Sequence, residues 1–355
     1  MKISIGILAY NEEGLIEETL KSLSTQSLFE ENTPDISIEI IVVPNGCTDN
    51  TASVAQRSLD NFFGIKLPHV SHRVCSLEQA GKSNAWNVFV HQLSDSSSDY
   101  LFLMDSDIEI LNPDTLKSML QTLDKHPEAW VAVDRPIKDV FFKEEKTALD
   151  RLSIFVSGLS GGNPKIEGPA WICGQLYCAR ASQLRKLVLP NHLPAQDSFL
   201  YTTIVTDGLQ SEVNPHRVIL AGSATHRFEA YTQLSRLLRH EKWLIVSNAI
   251  NEIVFEFLRG ICKGQVHIGT QIEKLNEENP NWLRQCTQEA IGKRGFWLIP
   301  RFILIRRFVA LKHKSLPKAL LLFPISCAAF GVDVFLAFQA NQHLRKNYQV
   351  GYWGK

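Results

Sequence analysis

Residues 99–107 read DYLFLMDSD, and this stretch decides the fold. Its apolar run over 99–104 suits a short strand buried on both faces. The run stops on Asp105 and Asp107, two carboxylates at i and i+2. Placed at a strand end, they approach one another once the chain turns. Hard divalent cations such as Mn²⁺ or Mg²⁺ favour carboxylate oxygens and leave positions open for substrate phosphates. Taken alone, the triplet also reads as a turn before the helix that follows Pro113.

Working upstream, the same alternation repeats. Ile3–Ala9 is a continuous apolar run, and 36–43 and 69–74 supply two further strands. Between them, EEGLIEETLKSL places Leu15, Ile16, Leu20 and Leu23 at helical spacing behind Asn11 as N-cap. TDNTASVAQRSL and Ser83–Gln92 form the next two helices. Repeated β-α units imply an α/β fold with a mostly parallel sheet flanked by helices, Rossmann-like in layout. Ligands of such sheets bind beyond the carboxyl ends of the strands. Asn11, Asn45, Gly81 and Asp105 all fall at such ends.

Downstream the pattern loosens. SGLSGGNPKIEGPAW (157–171) is a Gly-rich loop of a length that tends to be functional rather than a mere connector. WICGQLYCAR (171–180) and Arg217–Thr225 read as strands, LPAQDSFLYTTIV leads into a helix, and a long helix runs from Glu229 to about Leu258. Three regions follow: an α/β domain over 1–228, more regular in its first half (1–135) than in its second (136–228); a helical extension (229–290); and a basic, apolar segment (291–355).

Composition bounds the partners. Lys and Arg balance Asp and Glu at 37 each, so no global field points to nucleic acid. The balance is uneven along the chain, since from Ala290 onward Asp333 is the sole acid among eleven Lys and Arg. Lys293–Lys318 interleaves basic residues with Phe and Ile, which suits an anionic membrane surface. Residues 319–338 are apolar and about long enough to cross a hydrocarbon core, although Pro324 and Asp333 weigh against a span. Seven scattered cysteines with no C-x-x-C pair argue against zinc or a disulfide framework. The ISIGILA run is too short for a signal-peptide core. The expected location is therefore the cytoplasmic face of a membrane, held peripherally or by a single C-terminal anchor, or the cytoplasm if the tail is only a buried helix.

Four segments, in order, resemble glycosyltransferase family 2, whose members are inverting enzymes of the GT-A fold. ILAYNEEGLIEETLKSL resembles the first strand and nucleotide-contacting loop. VVPNGCTDNTASVA is similar to the second-strand signature, EQAGKSNAWN to the Gly-Lys segment, and YLFLMDSDIEI to the strand bearing D-x-D. PAQDSFL resembles the late acidic motif, with Gln196 in place of its usual Glu.

The resemblance implies a nucleotide-sugar donor, a UDP-sugar first, with Tyr10, Asn11, Glu12, Asn45, Lys82, Asp105 and Ser106 around it. Asn45 stands where many relatives carry an acid, and Asp49 is expected to cap the next helix. Asp105 and Asp107 would hold the metal, joined by His226. Asp197 would be the base that deprotonates the acceptor hydroxyl. RHEKW (239–243) is similar to the (Q/R)-x-x-R-W motif of membrane-associated members, which places Arg239, Lys242 and Trp243 near the diphosphate and acceptor. Members with such tails commonly act on lipids, so a lipid acceptor is expected. Two other readings compete. A nucleotidyltransferase would need a Gly-rich basic loop after the first strand, where AYNEEG carries two acids. A non-catalytic scaffold is suggested by the departures at Asn45, Gln196 and Lys242.

Overall fold

The computed structural model describes the chain except residues 31–35, 65–66, 68, 152, 155–167, 232, 264–265, 313 and 348–355. Most of the Gly-rich loop therefore lies outside the described residues.

The N-terminal half is a run of β-α units. Strands β1 (Lys2–Ala9), β2 (Ser37–Pro44), β3 (Val70–Val74) and β4 (Tyr100–Asp105) pair in parallel in the order β3-β2-β1-β4. Helices α1 (Ile16–Ser24), α2 (Thr51–Phe63) and α3 (Lys82–Val88) make the crossovers, and α3 continues as a π-turn over Phe89–Leu93. Because side chains alternate along a strand, each strand feeds two cores. On β4, Tyr100, Phe102 and Met104 enter one cluster, and Leu101 and Leu103 enter the other. On β1, Ile3, Ile5 and Ile7 join the first cluster while Leu8 joins the second. This two-sided burial is why these strands read as unbroken apolar runs.

Beyond β4 the sheet continues through β7 (Leu176–Arg180), β6 (Val131–Lys138), β8 (Val218–Phe228) and the two-residue β5 (Glu109–Ile110). β7 runs antiparallel to β4 and β6, β6 parallels β8, and β5 opposes β8. The result is the expected α/β layout, a mostly parallel sheet with helices on its faces. Helices α4 (Thr115–Lys125), α5 (Ala181–Leu184) and α6 (Gln196–Val205) complete this part.

Two local expectations change. Asn11 does not cap α1, which begins five residues later behind Leu15. Asn11 instead takes a left-handed backbone (φ 52°), and its side-chain oxygen accepts the Thr48 N–H. The strand over 171–180 begins only at Leu176, because Gly174 (φ 76°) interrupts the extended chain.

The C-terminal part is helical: α7 (Leu234–Cys262), α8 (Ile268–Glu278), α9 (Trp282–Lys293), α10 (Arg301–Lys312) and α11 (Leu316–Asn347). Ile245, Ile250, Ile253 and Leu258 of α7 share a core with the sheet, as do Ile303 of α10 and Leu336, Ala337, Ala340 and Leu344 of α11. Asp333, with its side chain 1% exposed, is paired. Arg306 and Arg307 both reach it at 2.9 Å, and Arg306 also bonds Glu241 of α7 at 2.6 Å. Asn341 of α11 accepts from Leu298 N–H and donates to the Phe296 carbonyl.

Candidate active site

The parallel strand ends create a ledge that the loops stitch together. Asn45 is buried behind β2. Its amide donates to the Ala9 carbonyl at 2.7 Å, and its oxygen accepts the Gly81 N–H at 3.0 Å. It therefore braces the first strand against the Gly-Lys loop. Gly46 (φ 61°) makes that closeness possible, since a Cβ there would sit 2.5 Å from the Ala80 Cβ. Asp49 accepts from the N–H and hydroxyl of Thr51 at the start of α2 and from the Glu13 N–H. Burial opposes its charge, but these bonds win and hold its pKa below the ordinary value. Its role is the expected cap.

Tyr10 and Asn11 are partly exposed at the end of β1, and Glu12 is buried, its N–H on the Thr51 hydroxyl at 2.8 Å. Ser106 is buried, and its carbonyl accepts the Thr19 hydroxyl of α1 at 2.8 Å.

At the centre stands Lys82, the first residue of α3. Its ammonium lies 2.5 Å from Asp105 Oδ1 and donates to the Gly174 carbonyl at 3.3 Å. Burial disfavours its charge, yet Asp105, then Asp197 and Asp107, more than offset this and raise its pKa. One cation thus gathers the D-x-D pair and the late acid, three carboxylates from distant parts of the chain. Asp105 is pushed up to about 6, chiefly by burial and further by Asp107, against the pull of Lys82.

Asp197 sits in the first turn of α6, where Ala195 rather than Asp197 is the N-cap residue. Two neighbours hold that turn. Ser83 of α3 donates to the Leu193 carbonyl at 2.9 Å, and Asn251 of α7 donates to the Ala195 carbonyl at 3.0 Å and the Ser198 hydroxyl at 2.7 Å. Gly174 closes on the other side, since a Cβ there would lie 3.1 Å from the Asp197 Cβ. Burial raises the Asp197 pKa, opposed by Lys82, the backbone N–H groups of the turn and His240. A carboxylate kept basic by burial, beside a cation, fits proton abstraction.

His226, on β8, is fully buried. Its Nδ1 meets Asp134 Oδ2 of β6 at 2.6 Å, and its Nε2 lies 3.2 Å from Gln175 Oε1. Asp105 is joined to the same unit, because its N–H donates to the Gln175 carbonyl at 2.8 Å. A histidine backed by a carboxylate presents its other nitrogen with fixed orientation. In this arrangement that nitrogen faces Gln175 rather than the two aspartates.

The RHEKW residues divide. Arg239 is exposed, and Lys242 lies within electrostatic reach of His343 on α11. Trp243 stacks on His240 at 5.9 Å between ring centroids. His240, absent from the sequence expectations, is the member of this motif whose charge reaches Asp197. Gly174, Asp134 and Asn251 were missed as well. An Asp inside the apolar VAVD run and a Cys-Gly pair before a strand were the available signals for the first two.

Among the described residues no three His, Cys, Asp or Glu side chains form a ready-made metal cage. Asp105 and Asp107 alone suit a cation that brings its remaining ligands with a diphosphate, as Mg²⁺-type sites commonly do.

The sequence profile of "Glycosyl transferase family 2" matches residues 4–170. The chain is 32% identical over 120 residues to a 4,4'-diaponeurosporenoate glycosyltransferase of Staphylococcus haemolyticus, covering 34% of this chain and 28% of that protein. It is 27% identical over 126 residues to the poly(ribitol-phosphate) beta-N-acetylglucosaminyltransferase TarS of Staphylococcus aureus, covering 36% of this chain and 19% of the relative. These matches thus span under a third of either relative. Among solved structures, the mannosyltransferase PcManGT of Pyrobaculum calidifontis, in complex with GDP-Man and Mn²⁺, superposes with a TM-score of 0.50. That superposition has 17% identity and covers 98% of this chain and 88% of that one, a likeness of GT-A fold. From its first strand past the D-x-D ledge, residues 4–170, the chain is similar to glycosyl transferase family 2.

Proposed function

We propose that the chain is an inverting glycosyltransferase that moves a sugar from a nucleoside-diphosphate donor, a UDP-sugar first, to a hydroxyl acceptor. The observation that carries this reading is the gathering of Asp105, Asp107 and Asp197 around Lys82. The donor diphosphate lies on the ledge of strand ends beside Tyr10, Asn11, Glu12 and Lys82. Asp105 and Asp107 would hold Mn²⁺ or Mg²⁺, with His226, whose Nε2 faces Gln175 in this structure, as a further candidate ligand. When bound, the cation neutralises charge on the diphosphate. Lys82 leaves Asp105 for the phosphate oxygens and stabilises the leaving group.

Asp197 accepts the proton of the acceptor hydroxyl as its oxygen bonds to the anomeric carbon. The bond from that carbon to the diphosphate oxygen breaks on the opposite face, and its electron pair leaves with the nucleoside diphosphate. Asn45 shapes the donor pocket as a brace rather than through its own amide. Arg239, Lys242 and Trp243 belong to the acceptor side, with Trp243 acting through His240.

The expected acceptor is a lipid, met at the cytoplasmic face of a membrane. Support comes from α11, which is long and apolar enough to cross a bilayer and is little buried along its apolar window.

Purified protein, Mn²⁺ and a nucleotide-sugar panel test the reading. Hydrolysis or transfer of one donor, lost on adding a chelator and in Asp107→Ala, is expected. Turnover that survives in Asp107→Ala would overturn the metal assignment, and no turnover of any donor would favour a scaffold.

A further inference from the structure

Trp171 is the aromatic side chain that the site's chemistry leaves unused. It is 58% exposed, although a tryptophan usually hides most of its surface. One face of its indole is covered by Tyr201, with centroids 3.8 Å apart and planes 29° from parallel. Among the described residues no second aromatic ring stacks on it, and more than half of its surface stays exposed.

Two independent constraints put this stack beside Asp197. Tyr201 follows Asp197 by four residues on α6, so both lie on one helix face. Trp171 precedes by three residues Gly174, whose α-carbon abuts Asp197. The stack is also anchored from behind. Pro169 bridges to Ile219 of β8, the Ala170 N–H donates to the Val218 carbonyl at 3.0 Å, and Ile172 is fully buried. A rigid, half-covered aromatic plane of this kind is a platform for a flat ligand rather than a core residue.

We infer that the Trp171–Tyr201 stack binds a pyranose ring of the acceptor, so that the enzyme extends an existing glycoside instead of glycosylating a bare alcohol. A pyranose offers a face of C–H bonds carrying partial positive charge, which complements the negative face of an indole. Its ring hydroxyls project from the edge, where one can reach the carboxylate of Asp197. A bare alkanol has no such face and gains nothing from a flat aromatic beyond ordinary apolar contact. The inference rests on the glycosyltransfer reading, and for a lipid acceptor it specifies a sugar-bearing head group.

Binding separates the two claims, because it needs no turnover. Methyl glycosides, which lack a chain that would adhere to α11, are titrated into the full-length protein and followed by saturation-transfer NMR. Wild type is expected to bind at least one of them in preference to alkanols. Removing one indole face should weaken that binding about tenfold in Trp171→Ala, and about twofold in Trp171→Phe, which keeps a smaller plane. Trp171 is exposed, so neither variant threatens the fold. Equal glycoside binding by Trp171→Ala and wild type would overturn the inference, as would alkanols binding as well as glycosides. A raised donor KM in Trp171→Ala would place the donor's ring there and also overturn it. Failure of the glycosyltransfer reading shows separately, as absent donor turnover in wild type.

Discussion

Asp197 and Asp105 are both pushed upward by burial, and the consequences differ. A base works only when ionised, so activity should fall as pH drops through the raised pKa of Asp197. The acid limb of kcat/KM is therefore expected above the ordinary 3.8 of a free aspartate. Asp197→Asn keeps the shape but cannot take the proton, and turnover should fall by roughly 10²–10⁴ with donor binding nearly intact. An equal loss of donor affinity, measured by titration calorimetry, would remove the base assignment.

Asp105 bears on stability. Its pKa rises from 3.8 unfolded to about 6 folded, so the folded protein holds the extra proton between those values. Its contribution to stability then falls as pH rises through this window, by up to about 3 kcal/mol. Under the proposed metal assignment, a divalent cation would bind the ionised form and reverse that loss. Added Mn²⁺ is expected to raise Tm more at pH 7.5 than at pH 5.5, and a shift independent of pH would argue against Asp105 as ligand.

At the scale of elements, legibility followed burial pattern. β1, β2 and β4 are buried on both faces, so their apolar runs announce strands within a residue or two. The ends of those strands carry the residues proposed for the donor side, and their placement at strand ends was readable for the same reason. Asp197 was legible only through family resemblance, since its neighbourhood is built by long-range contacts that leave no local pattern. Asn251 lies 53 residues from Ser198, which it bonds, and Gly174 meets Asp197 across a turn between a loop and a helix. The shift of α1 has a similar cause. Asn11 is a good cap by type, but its oxygen is taken by Thr48 of a different loop. His240 was passed over because RHEKW was read through its likeness to the (Q/R)-x-x-R-W motif, which assigns that position no role, whereas Lys242 comes within electrostatic reach of His343 on α11.

At the scale of the whole molecule, the balanced net charge conceals a division of labour between α10 and α11 and the rest. α11 is built in two parts. Its second half is docked, through Leu336, Ala337, Ala340 and Leu344 in the core and through the pairing of Asp333 with Arg306 and Arg307. Its first half is bare: Leu316, Leu320 and Leu321 are 74%, 67% and 61% exposed, and Phe323 is 52% exposed. Lys312 precedes this bare stretch and Lys318 lies within it, and both are exposed. Apolar surface ringed by cations suits an anionic leaflet, with about 1 kcal/mol per basic residue added near the surface. Truncation beyond residue 290 is a poor probe of this, because it removes core residues Leu298, Ile299 and Ile303. Charged substitutions in the bare half avoid the problem. The double variant Leu320→Glu, Leu321→Glu should remain folded by circular dichroism and keep its turnover of a water-soluble donor. Its sedimentation with vesicles containing anionic lipid should drop at least tenfold, each glutamate both removing apolar contact and facing repulsion. Wild-type binding should weaken as salt is raised without vanishing, since apolar insertion is not screened. Undiminished sedimentation of the double variant would place the membrane contact elsewhere on the molecule.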